Sequence, residues 1–109
     1  MVDPDVLASV QRYLRNLQAE GIAVSFAVLF GSHAHGNSHP LSDIDLLIVS
    51  PRFDGEVKLG DVNVLWRMAA RTDSRIEPIP VGQQQYLTDD SSAILEIARR
   101  EGEVIPLVE

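Results

Sequence analysis

Gly31-Ser32, followed after ten residues by Asp43-Ile44-Asp45, constrains this chain more than any other feature, because each half of the pattern borders an apolar run. The run Ile22-Ala23-Val24-Ser25-Phe26-Ala27-Val28-Leu29-Phe30 has the β-branched and aromatic content of a buried strand that stops at Gly31. Lacking a Cβ, Gly31 lets the backbone turn sharply and approach a ligand closely, and Ser32 can cap a following turn whose N–H groups aim at an anion such as phosphate. Asp43 and Asp45 open the second run, Ile44-Leu46-Leu47-Ile48-Val49. Strand residues two apart point to the same side, about 7 Å apart along the chain, so both carboxylates face one site. Carboxylates that close repel unless a cation lies between them, and Mg²⁺ is normally held by one or two carboxylates plus substrate phosphates.

Composition bounds the rest. A chain of 109 residues predicts one domain, residues 1–109, with apolar content for one core and no room for a second. Nine basic against sixteen acidic residues leave a net charge of −7, which opposes the phosphate attraction that general nucleic-acid binding needs. DNA and RNA are therefore not expected as main substrates. No apolar run approaches twenty residues and no basic-then-apolar N-terminus appears, so neither a membrane span nor a signal peptide is read, and a cytoplasmic setting is expected. Zero cysteines exclude disulfides, thiolate metal sites and a Cys nucleophile.

Periodicity places the remaining elements. Asp3 as N-cap, Pro4 at the first helical position, and Val6, Val10, Tyr13, Leu14 and Leu17 on one face predict a helix over residues 4–20 that Gly21 ends. Residues 51–60 read as a polar loop. Gly60 to Arg71 fits either a helix, with Val62, Leu65, Trp66 and Ala69 as its stripe, or a short strand over residues 62–66; the helix is favoured. Residues 76–81 alternate like a strand, but Pro78 and Pro80 remove ladder donors, so it should be short or lie at an edge. A last helix over residues 91–101 presents Ile94, Leu95 and Ala98, and Gly102 stops it.

Several polar residues have plain readings. His33, His35 and His39 make a poor transition-metal cluster, being in a loop without Cys, and are expected to contact phosphate or hydroxyl groups or to lie at the surface. Asp89-Asp90 reads as a solvated helix cap, and Arg99-Arg100 suits a helix C-terminus. Arg52, Arg67 and Arg71 are candidate triphosphate or partner contacts for which a solvated surface is the default.

The segments Phe30-Gly31-Ser32-His33-Ala34-His35-Gly36 and Ser42-Asp43-Ile44-Asp45-Leu46-Leu47-Ile48-Val49 resemble the nucleotidyltransferase superfamily related to DNA polymerase beta, in particular its minimal nucleotidyltransferases. The resemblance extends more loosely through Ser50-Pro51-Arg52-Phe53, the Trp66 region and Ile76-Glu77-Pro78 to the last helix. It implies an α+β nucleotidyltransferase fold, a small mixed β-sheet flanked by helices. It also implies in-line attack of an acceptor hydroxyl on the α-phosphate of ATP, with Mg²⁺ as cofactor. By the same resemblance Asp43 and Asp45 are catalytic metal ligands, and Gly31, Ser32 and Ser42 bind nucleotide. The family's third carboxylate comes from a later strand. Its candidates are Asp61, Asp73 and Glu77; Asp61 suits an N-cap and Asp73 an Asx turn, so Glu77 is chosen as the third catalytic and metal-binding carboxylate.

Three functions follow. Minimal nucleotidyltransferases of this size resemble antitoxins that adenylylate a tyrosine of a helical HEPN-type partner encoded nearby, and this reading ranks first. The second is a small-molecule adenylyltransferase of the aminoglycoside type, with a partner or homo-oligomer completing the acceptor site. The third is a nucleotide-binding interaction protein that transfers nothing.

Overall fold

The computed structural model describes residues 2–35 and 41–107, without the side chains of Ser32 and His35. The chain starts with helix α1, Pro4–Ala19, where the Asp3 carboxylate accepts from the Asp5 N–H at 2.8 Å. Val6, Val10, Tyr13, Leu14 and Leu17 are buried along one face, each worth about 1.5–3 kcal/mol when fully covered. At its end the Gly21 N–H bonds the Gln18 carbonyl and the Ile22 N–H bonds the Leu17 carbonyl, both at 3.0 Å, with Gly21 at φ +89°. This is the Schellman closure, in which a left-handed glycine satisfies the last helical carbonyls and the next residue folds back as a hydrophobic contact. Ile22 is therefore buried but serves the helix end, and strand β1 covers only Phe26–Phe30.

After Gly31 come the short helix α2, Ser32–His35, and strand β2, Ile44–Ser50. The expected polar loop after β2 instead opens with a 3₁₀ turn, Pro51–Phe53, because the Ser50 hydroxyl caps it from Arg52 N–H at 3.1 Å and Phe53 fills the core. Helix α3, Leu59–Thr72, confirms the helical choice. Strand β3, Ile76–Gly82, is followed by helix α4, Gln83–Thr88, helix α5, Ala93–Glu101, and strand β4, Glu103–Pro106. Neither α4 nor β4 was expected from periodicity. α4 buries no residue fully, and β4 has four residues of which Ile105 alone is buried.

The sheet order is β3-β2-β1-β4, with β2 antiparallel to β1 and parallel to β3, and β4 antiparallel to β1. α1 and α3 cover the side formed by Ala27, Leu29, Leu46, Ile48, Ile76 and Ile105. α5 covers the other side at Val28, Leu47, Val49 and Val81, with Tyr86 of α4 against the same cluster. The result is a mixed α+β sandwich, a small mixed sheet with helices on both sides, as the resemblance implies. β3 lies at an edge, as its prolines require, but runs seven residues. The Ile44 N–H bonds the Arg75 carbonyl at 2.7 Å, so odd-numbered β3 residues face β2 and the donorless Pro78 and Pro80 face outward.

Candidate active site

β1 ends at Phe30, and Gly31 turns the chain into α2 at φ +78°, with the Ala34 N–H bonding its carbonyl at 3.1 Å. The need for glycine is double. The positive φ excludes most side chains, and a Cβ there would run into the Asp45 carboxylate. Sheet register does the rest. Phe30 pairs with Asp45 across β1 and β2, and Asp45 pairs with Glu77 across β2 and β3. These three side chains therefore share one face, that of Leu47 and Val49, away from α1 and α3. Asp43, just before β2, has the same parity and is exposed, whereas Asp45 and Glu77 are half-buried.

The carboxylates act on one another. Burial raises the Asp45 carboxyl above its ordinary range and the Asp43 charge raises it further, against the lowering from a Glu77 hydrogen bond and the nearby His33. Glu77 is raised by burial first, then by the charges of Asp43 and Asp45 and by hydrogen bonds with both. Such a cluster resists carrying its full negative charge and is relieved by a cation. No three described His, Asp or Glu side chains form a finished metal cage. A Mg²⁺ site completed by substrate phosphates does not need one.

His33 departs from the surface or phosphate-contacting role expected for it. It is 3% exposed, and its Nε2 donates to the Ser42 carbonyl oxygen at 2.9 Å, so it ties the Gly31 turn to the segment that delivers Asp43. Its Nδ1 is buried without a hydrogen-bond partner among the described residues. Sequence spacing gave no signal for this strut, which exists only because the turn and the β2 entry meet in space. Ser42 is half-buried beside it. The side chains of Ser32 and His35, and the whole of His39, lie outside the described residues.

Other candidates resolve into structure. Lys58 is the N-cap of α3 and Asp61 sits in its first turn, correcting the N-cap reading; Asp61 takes a two-pronged contact from Arg52 at 2.8 and 3.0 Å. Arg52 also donates to the Gly21 carbonyl at 3.1 Å, so it is an anchor between elements and not simply solvated. Asp73 forms the expected Asx turn with the Arg75 N–H at 3.1 Å and adds an ion pair to that guanidinium. Asp89 follows α4 as its C-cap and binds Ser91, while Ser92 caps α5. Arg99 reaches back to the Tyr86 and Asp89 carbonyls at the end of α4, and its guanidinium lies over the Tyr86 ring at 5.5 Å.

The nucleotidyltransferase domain model matches residues 10–101, a span that holds Gly31, Asp43, Asp45 and Glu77. The chain belongs to this nucleotidyltransferase domain family. Two solved structures share its fold. One is a protein of Sulfolobus solfataricus provisionally assigned as a nucleotidyltransferase, 17% identical, with a TM-score of 0.60 over 90% of this chain and 77% of that one. The other is a toxin-antitoxin crystallised with AMP-PNP, 19% identical, with a TM-score of 0.61 over 91% of this chain and 74% of that one. At these identities the likeness speaks for the nucleotidyltransferase fold. No curated protein matches the chain in sequence.

Proposed function

We propose that this nucleotidyltransferase-domain chain transfers AMP from ATP to a tyrosine hydroxyl of a helical HEPN-type toxin and so acts as its antitoxin. The observation that carries the transfer reading is the cross-strand placement of Asp45 beside Glu77, with Asp43 on the same side and the Gly31 turn against Asp45. The fold neighbour crystallised as a toxin-antitoxin with AMP-PNP supports both the nucleotide and the partner. Among the described residues no helix is long and apolar enough to cross a membrane. A cytoplasmic setting, where ATP and such a partner meet, is part of the proposal.

Asp43, Asp45 and Glu77 would hold Mg²⁺, which when bound neutralises triphosphate charge and favours the attacking oxygen. The N–H groups of the Gly31-Ser32 turn, together with Ser42, would hold the phosphates. Glu77 accepts the proton of the acceptor hydroxyl. The hydroxyl oxygen forms a bond to the α-phosphorus, the bond from that phosphorus to the bridging oxygen breaks, and pyrophosphate leaves with its electron pair. Positioning and charge neutralisation supply most of the rate in such a transfer.

The deciding experiment incubates the chain with labelled ATP, Mg²⁺ and the helical protein encoded beside it, followed by mass analysis. AMP on a tyrosine of the partner, with release of pyrophosphate, is expected. Label on an aminoglycoside hydroxyl and none on protein would move the assignment to small-molecule transfer. ATP binding with no transfer to either acceptor would make the chain a binding protein.

A further inference from the structure

Helix α3 carries features that nothing among the described residues uses. Its inner face is Asp61, Leu65, Met68 and Ala69. On the opposite face Leu59, Trp66 and Ala70 follow one another at helical spacing, Leu59 with 74% and Trp66 with 48% of its surface exposed. Trp66 was expected in the core with Leu65 and Ala69; it lies about 100° round the helix from Leu65, which turns it outward. Arg67 and Arg71 flank the stripe, both exposed.

Five of the eight arginines of this chain have partners among the described residues. Arg52, Arg75 and Arg100 are paired with Asp61, Asp73 and Glu96, and Arg12 and Arg99 donate to backbone carbonyls. Arg67 and Arg71, like Arg15 of α1, make no hydrogen bond or ion pair among the described residues, and of these three it is Arg67 and Arg71 that lie on the helix carrying the exposed apolar stripe. In a chain of net charge −7, two unpaired guanidinium groups beside an exposed Trp combine two side-chain types enriched in binding hot spots, and Leu59 adds apolar area next to them.

We propose that this face of α3 docks an acidic amphipathic helix of a partner protein, whose apolar residues cover Leu59 and Trp66 while its carboxylates meet Arg67 and Arg71. Charge selects this occupant. A second copy docked symmetrically on the same face would set Arg67 and Arg71 against their own counterparts, which repel. A nucleic acid would meet the guanidinium groups but also the field of an acidic chain. α3 covers the sheet side opposite Asp45 and Glu77, so a partner held here leaves the carboxylates open. Tether and acceptor entry are then separate surfaces. The inference rests on the helical partner of the proposed function but not on its transfer reaction.

The test titrates the full chain with that helical partner, reading affinity by sedimentation and the environment of Trp66 by its fluorescence, since Trp66 is the single tryptophan of the chain. A Trp-free form of the partner keeps the signal local. Complex formation should shift the Trp66 emission to the blue. Trp66→Ala and the double variant Arg67→Glu/Arg71→Glu should each weaken binding at least ~10-fold, the usual effect of losing a hot-spot contact. Their melting temperatures should stay near that of the parent, as surface changes leave them. Glu→Lys changes on the partner's acidic helix should restore binding to the double variant. At saturating partner the double variant should keep its rate of AMP transfer and show a raised KM for the partner. Complex without transfer in the parent protein would leave docking intact and remove the proposed function. Transfer with unchanged affinity in both variants would overturn docking at α3. So would the absence of a complex, a dimer of the chain alone that Trp66→Ala dissolves, or preferential binding of a single-stranded 20-mer oligonucleotide at physiological salt.

Discussion

Asp45 is costly where it stands. Burial and the neighbouring Asp43 charge both raise its carboxyl, so in the metal-free fold the ionised form is the strained one. Asp45→Asn should abolish Mg²⁺-dependent transfer while the melting temperature in EDTA holds or rises; a fall of several degrees would contradict the repulsion argument. Glu77→Gln should cut transfer by at least ~10²-fold, the usual lower bound for losing a positioned base, with ATP affinity changed far less. Asp73 is the contrasting carboxylate. Hydrogen bonds from Arg75 lower it from 3.8 to about 2, so its contribution to stability is present above the unfolded value and is lost as pH falls through the folded one. Asp73→Asn should therefore leave transfer nearly unchanged and lower the melting temperature at neutral pH. In a melting series from pH 6 to 2, the difference from the parent should close between about 4 and 2.

The turns between elements hold the site in register. Gly21 and Gly31 both adopt positive φ, but a Cβ on Gly21 would meet nothing within 4 Å, whereas one on Gly31 would strike the Asp45 carboxylate. Gly21→Ala should cost about 1–2 kcal/mol in urea unfolding, the strain of a left-handed non-glycine residue. Gly31→Ala should cost more and should also displace Asp45, lowering transfer; equal costs in the two variants would show that the carboxylate moves aside freely. α4 stays in place by borrowed contacts. Arg99 of α5 satisfies its last carbonyls, Asp54 accepts from the Gln84 N–H at 3.1 Å, and Tyr86 meets Phe26 edge-on at 5.2 Å.

At the scale of the molecule, the sheet has two edges with different defences. β3 turns Pro78 and Pro80 outward, which leaves no donors at those points, and β4 is short. Pro78→Val/Pro80→Val restores two outward N–H groups, and light scattering should then show concentration-dependent self-association that the parent lacks. An unchanged scattering profile would show that the prolines have no protective role. The acidic balance adds repulsion between copies, so the association should strengthen with salt.

How much the sequence determined depended on how local the cause was. The Gly31 turn, the shared side of Asp43 and Asp45, the first helix with its cap, and the edge position of the proline-bearing strand all follow from backbone geometry within a few residues. The family resemblance pointed to Glu77, and the register of β3 against β2 is what sets it beside Asp45. Tertiary structure alone decided the outward turn of Trp66, the buried His33 strut, the Arg52 anchor, and the existence of α4 and β4. The strut, the anchor, α4 and β4 each depend on a partner outside their own element, while the orientation of Trp66 depends on which face of α3 the sheet and α1 cover. His33 needs the Ser42 carbonyl, Arg52 needs Asp61 and Gly21, and α4 needs Asp54 and Arg99, because too little of its own surface is apolar to hold it on the sheet.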